Sequence, residues 1–118
     1  MVYAGLVAYK YKGIMSLNTD INIIEGAKGI AGGCFNGCYG LRSMSIPNSV
    51  MSIGDNAFKE CTSLTSITVE ATTPPTLQYS KQFDNTNNCP IYVPAASVNA
   101  YKSASDWSTY ASRIFPIQ

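Results

Sequence analysis

Four cysteines are the side chains of this 118-residue chain with the widest chemical range, because a thiolate can bind a metal or act as a nucleophile. They are Cys34, Cys38, Cys61 and Cys89. No two of them form the C-x-x-C pair typical of zinc sites, and the chain has no histidine to complete such a site or to activate a thiol. We therefore expect no metal, no cofactor and no cysteine nucleophile.

The acidic residues do not suggest catalysis either. All seven stand singly in the sequence, whereas hydrolytic sites pair two carboxylates, or a carboxylate with histidine, for general acid and base work. Asp55 and Glu60 are better explained as solvated turn residues. The chain is predicted not to be an enzyme, and a deep pocket lined by Tyr79, Asp84 and Cys89 would be the first sign against that prediction.

Composition narrows the classes of partner. Lys and Arg number eight, Asp and Glu number seven, and neither sign forms a run, so the chain lacks the basic patch that nucleic-acid binding requires. Its apolar stretches are too short to cross a bilayer, so this segment is not expected to insert into a membrane. Residues 1–9 lack the order of a signal peptide.

One pattern recurs at a fixed spacing along most of the chain. Residues 38–46, CYGLRSMSI, and residues 61–69, CTSLTSITV, share C-x-x-L followed by two alternating apolar positions, at a sequence step of 23. The same step relates Ile21 to Met44, Ile30 to Ile53, and Phe35 to Phe58. Ile91-Tyr-Val93 follows Ile67-Thr-Val69 at a step of 24. Such a period predicts a repeat array, in which units bury their apolar faces only by stacking on one another.

Each unit is predicted to contain one half-buried strand. Met44 and Ile46 alternate with Ser45 as the period of a strand requires, and Pro47 ends the strand because it cannot donate to a ladder. Cys38 and Cys61 are then expected to be buried thiols at equivalent positions. A disulfide between them stays possible but is not favoured, because parallel Cβ vectors on stacked strands do not converge.

Residues 41–61, LRSMSIPNSVMSIGDNAFKEC, resemble the repeat of BspA-type leucine-rich-repeat proteins, found on the surfaces of gut and oral bacteria, with its core I-P-x-S-V-x-x-I-G-x-x-A-F. Departures lie upstream, where Asn18, Ile24 and Cys34 replace the Leu, Pro and Ala of the repeat. The resemblance implies a right-handed leucine-rich-repeat solenoid, mainly β with short helical segments, about four stacked strand rungs and a helical C-terminal cap.

The chain is interpreted as a single domain with four parts. Residues 1–13 form an N-terminal strand or cap, which covers the first repeat or pairs with an upstream one. Residues 14–70 hold the repeats, and residues 71–90 form an irregular insertion in which Phe83 takes the place of the repeat's Phe. Residues 91–118 hold the last rung and the cap, where Trp107, Tyr110 and Ile114 have the spacing of one helix face. Pro116 stops this helix, and residues 115–117 are predicted to finish as a short strand.

Outward positions on the predicted strands form a row that we call the polar strip. Its members are Asp20, Asn22, Ser43, Ser45, Ser66, Thr68 and Tyr92. These residues either bind a protein partner, as strips on repeat proteins do, or simply solvate an exposed sheet. Tyr39 and Tyr79 are further loop candidates. The resemblance implies a cell-surface or secreted adhesion module that binds host extracellular matrix proteins; the alternative is a structural cap or spacer without a ligand.

Overall fold

The structure, a computed structural model, describes residues 2–4, 7–10, 17–78 and 82–117, so Tyr79 lies outside the described residues. The strands are β1 Val2–Ala4, β2 Val7–Lys10, β3 Thr19–Asn22, β4 Gly29–Ile30, β5 Leu41–Ile46, β6 Ser52–Ile53, β7 Ser66–Val69, β8 Thr76–Leu77, β9 Ile91–Val93 and β10 Ile114–Pro116. Between β9 and β10 lie the 3-10 helix Ala95–Ser97, the helix α1 Val98–Ser103 and the 3-10 helix Trp107–Arg113. The short helical segments expected from the sequence are therefore present.

The strands form two sheets, each with five strands among the described residues. Sheet 1 has the order β1-β2-β4-β6-β8, and sheet 2 has the order β10-β9-β7-β5-β3. Every pair is parallel except β1 and β2. From β3 to β9 the chain alternates between the sheets, so each repeat adds one strand to each of them.

The register of both sheets follows the spacing of the sequence repeat. Met44 lies opposite Ile21 in sheet 2, and Ile53 lies opposite Ile30 in sheet 1, which confirms the regular step of the repeat. Ile91 lies opposite Ile67, which confirms the longer step that follows. Backbone hydrogen bonds carry this register across the repeats, because each parallel strand pairs with the strand one repeat away.

Sheet 2 contains one strand more than the four rungs that the sequence predicts. Ile114 lies opposite Ile91, and Phe115 lies opposite Tyr92, so β10 adds a fifth parallel strand. The assignment of Ile114 to a helix with Trp107 and Tyr110 is wrong, because the 3-10 helix ends at Arg113. Its spacing fits a helix face, but Ile114 also follows Ile91 at the regular step of the repeat, and that step places it on a strand.

A column of aromatic rings runs through the core, and we call it the ring column. Phe35 stacks on Phe58 with ring centroids 5.5 Å apart, and Phe58 stacks on Phe83 at 5.6 Å. Trp107 follows at 5.4 Å from Phe83, with its plane tilted by 39°. All four side chains are buried. Phe83 therefore takes the place of the repeat's Phe, as predicted, and Trp107 lies at the end of the column.

The segment 71–90 keeps the structural positions of a repeat despite its irregular sequence. Its strand β8 pairs with β6, with Leu77 opposite Ile53, and Phe83 joins the ring column. The repeat is longer here, since the step from Phe58 to Phe83 exceeds the step from Phe35 to Phe58. One extra residue lies before β8, in the stretch that holds the proline pair, because the step between register partners is already longer at Leu77 than at Val69. Asn85, Asn87 and Asn88 adopt positive φ.

The N-terminal strands extend sheet 1. Strand β2 pairs in parallel with β4, and β1 returns antiparallel to β2. These pairings place β2 beside β4. In the part of the chain that the structure describes, no helix has the length and apolar character needed to cross a membrane.

Candidate functional site

The cysteines lie in the core and lack the surroundings of reactive thiols. Cys34, Cys61 and Cys89 are buried, Cys38 is half-buried, and all four are free. Burial raises the pKa of Cys34 and of Cys61 to about 12, which keeps both thiols protonated at neutral pH. The Cys61 thiol donates a hydrogen bond to the carbonyl oxygen of Phe35 at 3.0 Å. Nowhere among the described residues do three or more potential ligands gather as a metal site would require.

Asp84 and Cys89, two of the three residues of the pocket considered from the sequence, are hydrogen-bonded by residues 95–113, which we call the C-terminal segment. The Tyr110 hydroxyl donates to Asp84 Oδ1 at 2.9 Å, and the Arg113 Nε donates to the Cys89 carbonyl oxygen at 2.8 Å. Burial raises the pKa of the Cys89 thiol, although the Arg113 guanidinium opposes that shift. These contacts give both residues structural partners.

The register of sheet 2 brings the predicted polar strip together. Asp20, Ser43 and Ser66 lie opposite one another in β3, β5 and β7. Asn22, Ser45, Thr68 and Tyr92 form a parallel row across β3, β5, β7 and β9. Asp20 and Asn22 are exposed, and the other five are half-buried. The strip therefore consists mostly of short uncharged side chains that sit side by side.

One end of the strip carries an ion pair that the sequence analysis missed. The register of β3 and β5 shifts between Thr19 and Asp20, which leaves Arg42 as the extra residue of a bulge. Its guanidinium donates through Nε to Asp20 Oδ1 at 3.0 Å and through Nη2 to Oδ2, and the Ser43 hydroxyl donates to Oδ1 at 2.6 Å. The hydrogen bond from Arg42 lowers the pKa of Asp20 to about 2.

The other end of the strip is aromatic. Tyr92 and Phe115 are register partners in β9 and β10, and their ring centroids lie 6.5 Å apart. Phe115 is 47% exposed. It follows Tyr92 at the regular step of the repeat, and this is the signal that could have added it to the strip. Tyr39, the remaining loop candidate within the described residues, is exposed.

A groove of about 490 Å³ adjoins this aromatic pair, and we call it the aromatic groove. Its described lining consists of Asn88, Pro90, Tyr92, Ser112, Arg113, Phe115 and Pro116. A second groove, of about 550 Å³, lies next to it and shares Asn88, Ser112 and Arg113. Asp84 and Tyr110 line this second groove. Arg113 was not among the residues predicted from the sequence to form a site.

In the earlier repeats the backbone N–H groups of the ring-column phenylalanines donate hydrogen bonds to backbone carbonyls. In the last repeat the equivalent N–H group donates to a side chain. The N–H groups of Phe35 and Phe58 donate to the carbonyls of Ala57 and Gln82, one repeat further on, at 2.8 and 3.0 Å. The N–H of Phe83 donates instead to the hydroxyl of Tyr110 at 3.4 Å. The hydroxyl of a C-terminal side chain thus stands where a following repeat would supply a carbonyl.

Three further side chains of the C-terminal segment donate to the last repeat. The Ser97 hydroxyl donates to the Thr72 carbonyl at 2.7 Å. The Tyr101 hydroxyl donates to the Ala71 carbonyl at 2.5 Å, and the Trp107 Nε1 donates to the Pro75 carbonyl at 2.7 Å. These carbonyls are satisfied at the end of the repeats without another strand.

Comparison with known proteins agrees with this architecture. No curated protein matches the sequence. The family model of the BspA type leucine rich repeat region, which describes six copies of the repeat, matches residues 7–105. Because this match spans far more than half of the chain, the protein belongs to the family of BspA-type leucine-rich-repeat proteins.

Proposed function

We propose that the polar strip is the surface by which this domain binds a protein partner. Leucine-rich repeats generally mediate protein–protein interaction, and proteins of this family are typically surface-associated and not enzymatic. On that basis we place the domain on the bacterial cell surface or in a secreted protein. Host extracellular matrix proteins are the partner class that the family suggests.

The alignment of the strip residues across successive strands carries this proposal. A row of short side chains such as Ser45 and Thr68 leaves the sheet accessible to a partner, and the register offers the same contact once in every repeat. Several weak contacts held on one scaffold bind together with greater affinity than each does alone. Tyr92 and Phe115 add the aromatic area that is enriched in the energetically dominant parts of interfaces.

The test measures binding of the purified domain to a panel of purified extracellular matrix proteins by surface plasmon resonance. We expect the domain to bind at least one of them, and we expect Ser45→Lys and Thr68→Lys to weaken binding at least tenfold, because each lysine places a long charged chain in the strip. Ser52→Lys is the matched control, since Ser52 is a half-buried strand residue of sheet 1. If the parent domain and the three lysine variants all bind with equal affinity, the strip is not part of the interface.

A second candidate function is structural, and the side-chain hydrogen bonds at the last repeat favour it. In this view the two sheets are the sides of a right-handed solenoid, residues 14–70 are its regular repeats, residues 71–90 an irregular one, and residues 91–118 its last rung and cap. Residues 1–13 cover the opposite end. The domain would then serve as a terminal spacer without a ligand of its own.

Deletion of the domain from a longer surface protein separates the two functions. A spacer or cap predicts a lower melting temperature for the parent protein and an unchanged binding profile, because the exposed core of an open repeat array is unfavourable. A binding module predicts loss of one partner from that profile. The measurements are calorimetry and the same binding panel on both forms.

A further inference from the structure

The aromatic groove contains a single charged side chain among its described lining residues, Arg113, and no acidic one. Arg113 is 9% exposed, so its guanidinium is a largely buried cation. Within the described residues the only salt bridge joins Arg42 to Asp20, at the far end of the strip. A buried cation without a carboxylate partner is costly, and this cost favours a ligand that brings a negative charge.

The hydrogen bonds of Arg113 leave room for such a ligand. Its Nη1 donates to the Phe83 carbonyl at 3.2 Å, and its Nη2 donates to the Thr86 hydroxyl oxygen at 2.7 Å. A guanidinium has five N–H groups, so one N–H of Nη1 has no acceptor among the described residues. The second N–H of Nη2 makes only a weak contact, 3.5 Å long, to the sulfur of Cys89. The remaining N–H of Nη1 is therefore available to a carboxylate, which accepts more strongly from Nη2 than the Cys89 sulfur does.

Asp84 is the acidic residue closest to this arrangement in the two adjoining grooves, and it does not pair with the guanidinium. It lines the second groove, and its Oδ1 accepts the hydrogen bond from Tyr110. The Tyr110 ring lies below the guanidinium, with the Arg113 Cζ 5.7 Å from the ring centroid. Asp84 therefore lowers the positive potential without occupying the aromatic groove.

Two aromatic side chains line the same groove as Arg113. Tyr92 and Phe115 present their rings there, tilted by 47° to each other. Exposed aromatic area beside an arginine is the composition that dominates binding energy in protein interfaces. The groove thus offers one position for a carboxylate and, next to it, one for an apolar side chain.

We propose that the aromatic groove binds an acidic peptide segment of the protein partner. Arg113 donates to an aspartate or glutamate carboxylate of that segment, and the neighbouring apolar side chain of the segment packs on Phe115 and Tyr92. This inference rests on the proposed function, and it names the chemistry of the partner at the C-terminal end of the polar strip.

The experiment titrates the full chain, labelled with nitrogen-15, with two blocked tetrapeptides, acetyl-Gly-Asp-Phe-Gly-amide and acetyl-Gly-Asn-Phe-Gly-amide. We expect the aspartate peptide to bind about tenfold more tightly at low salt, because a charge-assisted pair replaces a neutral hydrogen bond. The difference shrinks at high salt. Amide shifts are expected in residues 112–115. Equal affinity of the two peptides, or no saturable shift with either, would overturn the proposal.

Three variants locate the site. Phe115→Ala removes the exposed ring and is expected to weaken binding of the aspartate peptide severalfold. Met51→Ala, at a still more exposed apolar residue outside both grooves, is expected to leave binding unchanged. Asp84→Asn keeps an oxygen for the Tyr110 hydroxyl, removes the competing charge and is expected to strengthen binding severalfold. Unchanged binding by both Phe115→Ala and Asp84→Asn contradicts the assignment, and neither substitution removes a buried side chain.

The two proposals fail in different ways. If the domain binds a matrix protein through the strip but does not distinguish the two peptides, the acidic-peptide site is wrong and the proposed function survives. If the domain distinguishes the peptides but binds no matrix protein, the partner class of the proposed function is wrong.

Discussion

The interior repeats and the C-terminal segment satisfy similar backbone groups by different means. Between repeats, backbone N–H groups such as that of Phe58 donate to carbonyls of the next repeat. At the last repeat, side chains take over, as Tyr110 does for the N–H of Phe83. Backbone pairing tolerates most substitutions, since every residue except proline carries the same groups. The hydrogen bonds from the C-terminal segment to the last repeat have no such tolerance, because each depends on one particular side chain.

The largest effect expected inside the repeats comes from the ring column. Phe58→Ala removes a fully buried ring that stacks on both Phe35 and Phe83, and it should lower the free energy of unfolding by about 3 to 5 kcal/mol. Urea denaturation followed by circular dichroism measures this change. An unaltered midpoint would show that packing between repeats does not depend on the column, and that backbone pairing alone holds them together.

A second substitution tests the backbone contact between repeats directly. Gly54 packs so closely on the preceding repeat that a Cβ atom there would lie 2.6 Å from the Gly32 Cα and closer still to the Gly32 nitrogen. Gly54→Ala should therefore cost about 3 kcal/mol, because two backbones must move apart. The Gly54 N–H donates to the Ile30 carbonyl at 2.7 Å, and that bond would lengthen.

Gly33→Ala is the matched control for Gly54→Ala. Gly33 has a φ of +69° but nothing within 4 Å of an added Cβ, so only the left-handed backbone penalty applies, about 1 to 2 kcal/mol. If both variants lose the same stability in thermal melts, the close approach of the two repeats does not contribute, and interior packing is less demanding than the structure indicates.

The C-terminal segment is tested by a substitution that keeps the ring and removes one hydrogen bond. Tyr101→Phe leaves the ring packed against Trp107 but deprives the Ala71 carbonyl of the hydroxyl donor at 2.5 Å. The loss should be about 1 to 3 kcal/mol, the cost of leaving a buried acceptor unsatisfied. Tyr39→Phe, at an exposed tyrosine, is the control. Equal melting temperatures for the two variants would contradict the dependence of this segment on single side chains.

The same contrast explains what could be predicted from the sequence. Strand register in the repeats follows from the regular step of the repeat, because backbone pairing between similar units aligns equivalent positions such as Ile30 and Ile53. A short strand was predicted at residues 115–117, but its start at Ile114 and its place as a fifth rung were not, because Ile114 fits a helix face as well as it fits the repeat step. Arg113 and Tyr110 could not be assigned, since their partners lie far away in the sequence and follow no period.

The polar strip also combines features that the sequence predicts with one that it does not. Its rows across β3, β5, β7 and β9 were predictable from alternation, and the structure places them in register. The bulge at Arg42 was not predictable, because the extra residue in β5 does not change the alternation of apolar positions after it. The ion pair of Arg42 with Asp20 depends on that bulge.

The ion pair of Arg42 with Asp20 gives the smallest effect on stability that we expect. It tests the contrast between the repeats and the C-terminal segment, because it is a side-chain contact between two repeats. The pKa of Asp20 is about 2 in the folded protein and 3.8 when unperturbed. A lowered pKa means that the pair stabilises the fold above pH 3.8, and that this contribution is lost as the pH falls through about 2. Both side chains are solvent-exposed, so we expect the pair to contribute little to the free energy of unfolding even above pH 3.8.

Carbon-13 NMR of the Asp20 carboxyl group follows the titration directly. Arg42→Gln should return the Asp20 midpoint towards 3.8 and leave the melting temperature at pH 7 nearly unchanged, because exposed ion pairs contribute little and are screened by salt. A midpoint near 3.8 in the parent protein would mean that the bulge does not hold the guanidinium against Asp20. A large loss of melting temperature in Arg42→Gln would mean that interior repeats, like the C-terminal segment, depend on individual side-chain contacts, and the distinction between the two regions would not hold.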